Sequence, residues 1–594
     1  MLLLLTFGIA VGAAVVFGGM VRRLAPAIGA VVPPRADRWH EQPTPTMGGI
    51  AIAAATLIGF LAVLLRPDLL PWLDTWLPVP IAAGAMFVIG ILDDRLQLSP
   101  LAKLVSSLIV GAFLVFALSR SQPDGLPTWQ TLLATVWFAG ICHALNLLDN
   151  MDGLAAGVGL IAAAFVAWLL FDPLGPALVL LLAGLAGALL GFLFWNHNRA
   201  RLFMGDCGSL FIGAMLAGAT LVPVVGVPSP SLAPALFAMF ILSVPLFDTS
   251  FVLVLRRLAG RPATRGGTDH VSHRLVSLGF SERSAVRILY LLGLAGGLTA
   301  WGVQWSGVDS MLPVTALFAV LIILMGIYLA RVPAYDAGDF LALQKSSFAP
   351  FLKDLTFRWH AGQVMLDLIL ISACYYFAYR LRFEGESWEN FRPSLTASLP
   401  IVLGLKLLSL YVSGLYQRSW ETFGLRDLSA VLRGVGLGST LSVLAAAYFY
   451  RFEGFSRLVF ILDFMLLTAA VTATRASFRT MNLVAATRSK RARRVIVYGA
   501  GAFGQLLVRE MRANPDWNMN PVAFLDDDAM KARRWIVGVP VRGGLGQLER
   551  TLVDDEVDDV ILSTPAIDDL VEQQIRRVCN LHATAVRRFH MSIQ

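Results

Sequence analysis

Apolar residues run through this chain in long blocks rather than in alternation. The blocks have the length a helix needs to cross a bilayer, about 20 residues. The first covers Met1–Met20, and others lie near 48–65, 79–92, 104–119, 130–147, 154–171, 176–195, 209–227, 233–255, 285–304 and 312–330. They predict about eleven transmembrane helices. A polar stretch from Arg331 to His360 follows, and four more runs, near 361–380, 396–415, 431–450 and 458–477, predict a second membrane region. After Arg475 the composition becomes that of a soluble domain. Arg494–Tyr498 leads into Gly499-Ala-Gly501-Ala-Phe-Gly504, Pro521–Leu525 leads into Asp526, and Val560–Ser563 and Thr584–Val586 read as further short strands. Strand, tight glycine turn and helix, with an acid about 20 residues on, predict a doubly wound, Rossmann-like fold. The expected fold class is a multi-pass α-helical membrane protein with a C-terminal α/β domain. Residues 1–330 and 361–478 form its membrane regions, 331–360 a linker and 490–594 the Rossmann-like part.

Composition agrees. The chain has 594 residues, 56% of them hydrophobic and 15% charged, against about 25% charged in a soluble domain. A water-soluble enzyme is excluded for most of its length. Cys142, Cys207, Cys374 and Cys579 lie far apart with no CxxC spacing, which excludes a zinc site and a disulfide framework. A net charge of +8 fits basic loops on one side of a membrane better than a nucleic-acid partner. Arg22 and Arg23 follow the first apolar run, whereas a signal peptide carries its charge before it, so a retained helix that starts outside is expected. Alternation then puts 21–47, 93–103, 148–153, 196–208, 256–284, 331–360, 416–430 and everything after 478 inside. The loop 256–284, with Arg256, Arg257, Arg261, Arg265, Arg274 and Arg283, fits that side.

Three acidic clusters fall on this inner boundary: Asp93-Asp94-Arg95, Asn146-Leu-Leu-Asp149-Asn150-Met-Asp152-Gly153, and Phe203-Met-Gly205-Asp206-Cys-Gly208-Ser209. Ionisable groups at the edge of hydrocarbon are costly and need a partner or a role. Mg²⁺, with Mn²⁺ as a substitute, takes one or two carboxylates and completes its shell with phosphate oxygens and water. Arg265, Arg274 and protonated His270 or His273 are candidates for holding the outer oxygens of a diphosphate. Glycines at 205 and 208 let backbone approach a phosphate at a helix start, which makes Asp206 a natural metal site. The inferred reaction class is metal-assisted phosphoryl transfer to a lipid acceptor. The competing reading is a transporter or flippase; its ion sites would lie near the bilayer midplane, whereas these acids lie in loops.

The first 330 or so residues resemble the polyprenyl-phosphate N-acetylhexosamine-1-phosphate transferases, which begin cell-wall and surface-glycan assembly. Pro45-Thr-Met-Gly48-Gly49, Asp93-Asp94 with Lys103, Asn146 to Gly157, Phe203 to Ser209, Pro245-Leu-Phe-Asp248 and Asp269-His270-Val-Ser-His273-Arg274-Leu275 carry the resemblance in order. It implies Asp152 and Asp206 as metal ligands, and Asp93 and Asp94 as the pair handling the lipid phosphate, with Asp93 a candidate base. It further implies Lys103 as a substrate-binding cation, Asn146 and Asp149 at the nucleotide-sugar site, and His270, His273 and Arg274 on the sugar-diphosphate side. The partners implied are a UDP-sugar and undecaprenyl or another polyprenyl phosphate, with UMP released. Ser272, His143 and Arg199 depart from the residues that many relatives carry. The layout implies a bacterial inner membrane with site and C-terminal domain facing the cytoplasm, and it leaves room for a homo-oligomer.

The region from about 350 onward resembles the membrane and first nucleotide-binding parts of membrane-bound nucleotide-sugar dehydratases. Tyr379-Arg-Leu-Arg382-Phe383-Glu384-Gly385, Gly414-Leu-Tyr416-Gln-Arg-Ser-Trp420, Ser456-Arg457 and the Gly499 loop with Phe524-Leu-Asp526-Asp527 carry that resemblance. Gly499, Gly501, Gly504 and Asp526 would bind NAD or another nucleotide, and a purely structural Rossmann domain is the equal alternative. No tyrosine follows Tyr498, so the Tyr-x-x-x-Lys pair of short-chain dehydratases is missing. A regulatory or accessory module is expected rather than a bifunctional enzyme.

Overall fold

A computed structural model describes residues 1–33, 43–65, 76–120, 126–171, 176–225, 233–258, 267, 269–330, 355–383, 386–417, 423–488, 493–513, 517, 519–528, 530–532, 534–563 and 567–589. Arg265 and most of the stretch 331–360 lie outside the described residues. The chain forms two compact units, residues 1–418 with 425–472 and residues 419–424 with 473–594.

In the first unit each expected apolar run is helical. The helices are α1 (Leu2–Leu24), α2 (Gly49–Leu64), α3 (Pro78–Leu96), α4 (Pro100–Ser119), α5 (Thr128–Leu148), α6 (Leu154–Leu169), α7 (Pro176–Asn196), α8 (Asp206–Val225), α9 (Ala233–Ile241), α10 (Ser243–Leu258), α11 (Val271–Ser277), α12 (Glu282–Ser306) and α13 (Val308–Ala330). Among the described residues of the whole chain ten helices are long and apolar enough to cross a membrane, six of these thirteen and four that follow below, or eleven when the bent pair α9–α10 counts as one span. The apolar run 233–255 is two helices rather than one straight helix, because the chain turns by 74° there. Pro245 supplies the cause: it has no N–H to give to the carbonyl of Ile241, so the ladder breaks where α9 ends. Helices α2 and α6 have 16 residues each, about 24 Å at 1.5 Å per residue.

Helix α8 is the centre of this unit. Every residue from Cys207 to Val222 is buried, the signature of a helix that is apolar all round and enclosed by others. It packs against α2, α3, α4, α5, α6 and α9. Outer helices instead expose Leu4, Ile9, Ile109, Phe113 and Leu298, side chains suited to lipid. The chain is a multi-pass membrane protein.

Four further helices, α14 (Leu355–Arg382), α15 (Glu386–Val412), α16 (Leu425–Tyr450) and α17 (Arg457–Arg488), build a second core around Tyr375, Tyr379, Trp388 and Phe460. A buried ion pair crosses it, Lys406 Nζ to Asp463 Oδ2, with both side chains almost fully enclosed.

The second unit holds a six-stranded sheet made of β3 (Arg493–Tyr498), β4 (Met519–Leu525), β5 (Trp535–Ile536), β6 (Val539–Gly543), β7 (Asp559–Leu562) and β8 (Ala585–Arg588), in the order β5-β6-β4-β3-β7-β8. (β1, Val31–Val32, and β2, Thr44–Pro45, pair in the first unit.) All neighbours are parallel except β5 and β6. Alternate strand residues serve opposite faces, as a period of two requires. Val495, Val497 and Phe524 meet Leu507 and Met511 of α18 (Ala502–Ala513) on one face. Ile496, Ala523 and Val560 meet Leu552 of α19 (Leu548–Asp554) and Ile575 of α20 (Asp569–Leu581) on the other. Both faces are covered, which makes the sheet doubly wound. The β5–β6 hairpin was not expected; Val537 and Gly538, both with positive φ, form its two-residue turn.

Removing one partner of a buried ion pair leaves a charge without compensation and costs about 3–5 kcal/mol. Lys406→Met is therefore expected to lower the thermal midpoint of the detergent-solubilised protein markedly. Lys406→Met with Asp463→Leu is expected to recover most of that loss, as thermal scans of the two variants beside wild type would show.

Candidate active site

The site begins where three helix ends are forced together. A Cβ on Gly49 would lie 2.2 Å from Gly208 N, and one on Gly90 would lie 2.4 Å from Cys207 Cα, so only glycine lets α2, α3 and α8 meet this closely. Backbone bonds then zip two of the motifs to each other: Phe203 N–H donates to Pro45 O, Gly48 N–H to Phe203 O and Gly49 N–H to Met204 O, each at 2.8 Å.

The first N–H groups of a helix have no partner inside it. Asp94 supplies one at the start of α8: Oδ1 accepts from Asp206 N at 2.8 Å and Oδ2 from Cys207 N at 3.1 Å. A carboxylate here also meets the positive end of the helix dipole. Asp94 is thereby a positioning group with both oxygens engaged.

Around it lie Asp93, Lys103, Asn146 and Asp206. Asp93 ends α3, where its Oδ1 accepts from Leu98 N at 2.9 Å. Lys103, one turn into α4, bridges two acids, with Nζ 2.5 Å from Asp93 Oδ2 and 3.2 Å from Asp206 Oδ2. Ser99 caps that helix by accepting from Ala102 N, which fixes where Lys103 emerges. Asn146 Nδ2 donates to Asp206 Oδ1 and to Ser209 Oγ, both at 2.9 Å. Asp93 is nearly sealed, whereas the Asp206 side chain is 34% exposed, so Asp206 is the acid that an incoming ligand can meet.

The other expected site residues stand in different surroundings. Asp152 Oδ2 accepts from Ala200 N at 2.8 Å and faces a cavity of about 310 Å³ of mixed lining, with His197, Glu282, Arg283 and Tyr290 beside Met151 and Val286; Asp206 is not part of its lining. Asp149 caps the C-terminal end of α5. His270 Nδ1 lies 2.7 Å from Asp248 Oδ2, and Asp248 Oδ1 accepts from Val271 N at 2.8 Å. Arg274 is buried and donates to Asp269 O and Leu329 O, both at 3.0 Å. His273 is buried beside His270, and that burial pushes its imidazole down to about 4. It is therefore neutral at pH 7.

Several contacts were not foreseen from the residues alone. Asp248 orients His270, Arg256 grips Asp269 with two bonds of 2.8 and 2.7 Å, and Ser272 donates to Asn150 at 2.7 Å. That last bond ties α11 to the loop after α5. Asp248 stood in a noted motif, but nothing in its spacing pointed to position 270.

In the second unit Gly499 has φ of +100° and a Cβ on Gly504 would sit 1.9 Å from Gly499 O, so the turn demands both glycines; Gly501 meets open space. Asp526 Oδ2 accepts from Ala500 N at 2.7 Å and pairs with Lys531 at 3.0 Å. Burial opposes its charge, but the N–H groups of Asp528 and Ala500 and the Lys531 ammonium hold its carboxyl below the ordinary range. The acid expected to help bind a nucleotide is bonded to the glycine loop itself.

A glycosyl transferase family 4 model matches residues 76–224, the stretch that holds Asp93, Asp94, Lys103, Asn146 and Asp206. The chain is 33% identical over 356 residues to a decaprenyl-phosphate N-acetylglucosaminephosphotransferase of Mycobacterium tuberculosis, covering 54% of this chain and 86% of that one. It is 35% identical over 308 residues to the protein of the same name from Mycolicibacterium smegmatis, covering 46% and 75%. It is 31% identical over 300 residues to a phospho-N-acetylmuramoyl-pentapeptide-transferase of Lactobacillus gasseri, covering 46% and 90%. The chain belongs to the polyprenyl-phosphate N-acetylhexosamine-1-phosphate transferases. A CoA-binding domain model matches residues 412–581 of this transferase, which marks a second region fused to the first.

His273 supplies a pH test. Its folded imidazole titrates near 4 and an unfolded one near 6.5, so its contribution is complete above about pH 6.5 and is lost as pH falls toward 4. His273→Gln is expected to remove about 2 kcal/mol of the acid-induced destabilisation at pH 5. Thermal midpoints at pH 5 and pH 7 for both proteins would check it.

Proposed function

We propose that the transferase moves N-acetylhexosamine-1-phosphate from a UDP-sugar to undecaprenyl or a similar polyprenyl phosphate at the cytoplasmic face of a bacterial inner membrane. A lipid phosphate oxygen attacks the β-phosphorus of the donor, the bond to the UMP oxygen breaks, and UMP leaves as the lipid-diphosphate sugar forms. The observation that carries this reading is the Lys103 ammonium set between the carboxylates of Asp93 and Asp206 at a half-open helix end.

The chemistry of these residues fits one hard cation. Among the described residues no group of three or more His, Cys, Asp or Glu is arranged as a metal site. Mg²⁺ asks for less than that, since one or two carboxylates suffice when phosphates fill the remaining positions. Asp206 would hold it, with Mn²⁺ able to substitute, and the bound ion would neutralise charge on the diphosphate. Asn146 keeps the Asp206 carboxylate in place, and Lys103 offers a positive charge to the acceptor phosphate. Asp93, buried against Lys103, is the base candidate that keeps the acceptor oxygen deprotonated. Asp152, bonded to Ala200 and facing a separate cavity, is assigned with Asp149, His270 and His273 to the donor side. Arg274 serves that side by fixing α11 to Asp269 and Leu329.

Residues 1–330 carry the chemistry in this reading, and the region from 361 onward is regulatory or accessory. The engaged state of Asp526 supports a structural role for the Rossmann-like domain over a bound nucleotide.

Purified protein in detergent is expected to release UMP only when polyprenyl phosphate, a divalent cation and one UDP-N-acetylhexosamine are all present. Asp206→Asn is expected to lower that rate at least about 100-fold, the scale of losing a group aimed at transition-state charge. UMP release that ignores the lipid, or that survives Asp206→Asn, would contradict the assignment.

A further inference from the structure

Helix α11 carries two serines that spend their hydroxyls differently. Ser277, its last residue, has a turn of helix behind it and donates to His273 O at 3.1 Å, the usual outlet for a hydroxyl inside a helix. Ser272 is the second residue, so no carbonyl of its own helix stands four places back. It is fully buried, and a buried hydroxyl needs a partner. Its hydroxyl donates across to Asn150 Oδ1 at 2.7 Å.

Asn150 is itself fixed. Its Nδ2 donates to Leu147 O at 2.9 Å, in the last turn of α5, where carbonyls lack helical partners. That bond turns the amide so that its oxygen faces Ser272, and the two bonds together run from α11 through Asn150 to α5. A serine hydroxyl sits one bond beyond Cβ, so a contact this short draws the α11 backbone itself up to the loop 149–153. Other ties of α11 lead away from that loop. Asp248 on α10 pairs with His270 and accepts from Val271 N, and Arg274 donates to Leu329 O on α13.

We propose that the Ser272–Asn150 bond is the positioning contact that joins the two halves of the donor site. The proposal rests on the reading that places Asp149, Asp152, His270 and His273 on the donor side. Asp149 and Asp152 lie within two residues of Asn150, and His270 and His273 lie within two residues of Ser272. One bond thus sets the separation of two pairs of groups that must meet the same sugar diphosphate. The acceptor side, at Asp93 on α3 and Lys103 on α4, stands on other elements. Ser272 and Asn150 are positioning residues, which act through the neighbours they place.

The full chain in detergent would be compared with Ser272→Ala, Asn150→Ala, the double variant and Ser277→Ala. Titration calorimetry with UDP-N-acetylglucosamine and with UDP-N-acetylgalactosamine would give the donor Kd, and UMP release would give the KM for undecaprenyl phosphate. Losing one hydrogen bond is expected to raise the donor Kd about fivefold in either single variant. The double variant is expected to match the singles, because both changes break the same bond. The KM for undecaprenyl phosphate in these variants, and the donor Kd of Ser277→Ala, are expected to stay at wild-type values. A donor Kd unchanged in Ser272→Ala would overturn the proposal. Losses that multiply in the double variant, or an acceptor KM that rises as far as the donor Kd, would overturn it as well. Wild-type protein that binds a donor but releases no UMP would sink the transfer reading, and the donor Kd of the variants would still decide this one. Wild-type protein that binds neither donor would overturn both.

Discussion

Two backbone N–H groups at the start of α8 have no partner within their own helix, and the Asp94 carboxylate takes both. Much of the site depends on that pair of bonds. Asp94 reaches them only because Gly90 lets α3 lie against Cys207, and α2 joins the same point because Gly49 and Gly208 carry no side chains. Once the three ends are fixed, Asp206 stands at the tip of a fully enclosed helix, with Lys103 and Asn146 on its two oxygens. A charged group at the margin of hydrocarbon is expensive unless its surroundings repay it; here the surroundings are a dipole, an ammonium and an amide. The tertiary knot makes the chemistry possible, and the acids are placed by it.

Much of this was legible in the residues. Long apolar blocks can only be helices in a bilayer, so the helical runs and the second membrane region followed from their lengths. The motifs around positions 45, 93, 146, 206 and 270 were visible as clusters of acids, glycines and histidines. What spacing could not show was who bonds to whom. Asp93 and Asp94 are adjacent in sequence, yet a 100° step around the helix sends one to Lys103 and the other to the α8 backbone. Asp152 and Asp206 share acidic context, yet one is bonded to Ala200 and the other to Asn146 and Lys103. The break at Leu242 was implicit in Pro245 but hidden by the unbroken hydrophobicity around it. The β5–β6 hairpin escaped because Val537-Gly538 lacks the Asn-Gly or Asp-Gly pair that signals such turns.

The two regions of the chain solve opposite problems with similar parts. In the membrane unit, glycines draw helix backbones together so that Asp93, Asp94 and Asp206 gather at one helix end. In the Rossmann-like unit Gly504 also permits close approach, here of α18 to Gly499 O. The acid nearby turns inward: Asp526 is spent on Ala500, Asp528 and Lys531. Glycine-rich turns therefore do not by themselves announce a ligand, and the partners of the neighbouring acid decide. Under the proposed function Asp206, about one-third exposed and held by a neutral and a cationic donor, is the acid assigned to a ligand, and Asp526 is occupied by its own loop.

The most direct test of the central claim is a Mn²⁺ titration followed by electron paramagnetic resonance, on the detergent-solubilised protein with and without a UDP-N-acetylhexosamine. Weak Mn²⁺ binding that tightens with the donor, is abolished by Asp206→Asn and persists in Asp152→Asn, is the expected result. Binding that survives Asp206→Asn, or that vanishes only in Asp152→Asn, would contradict the assignment of the metal to the tip of α8.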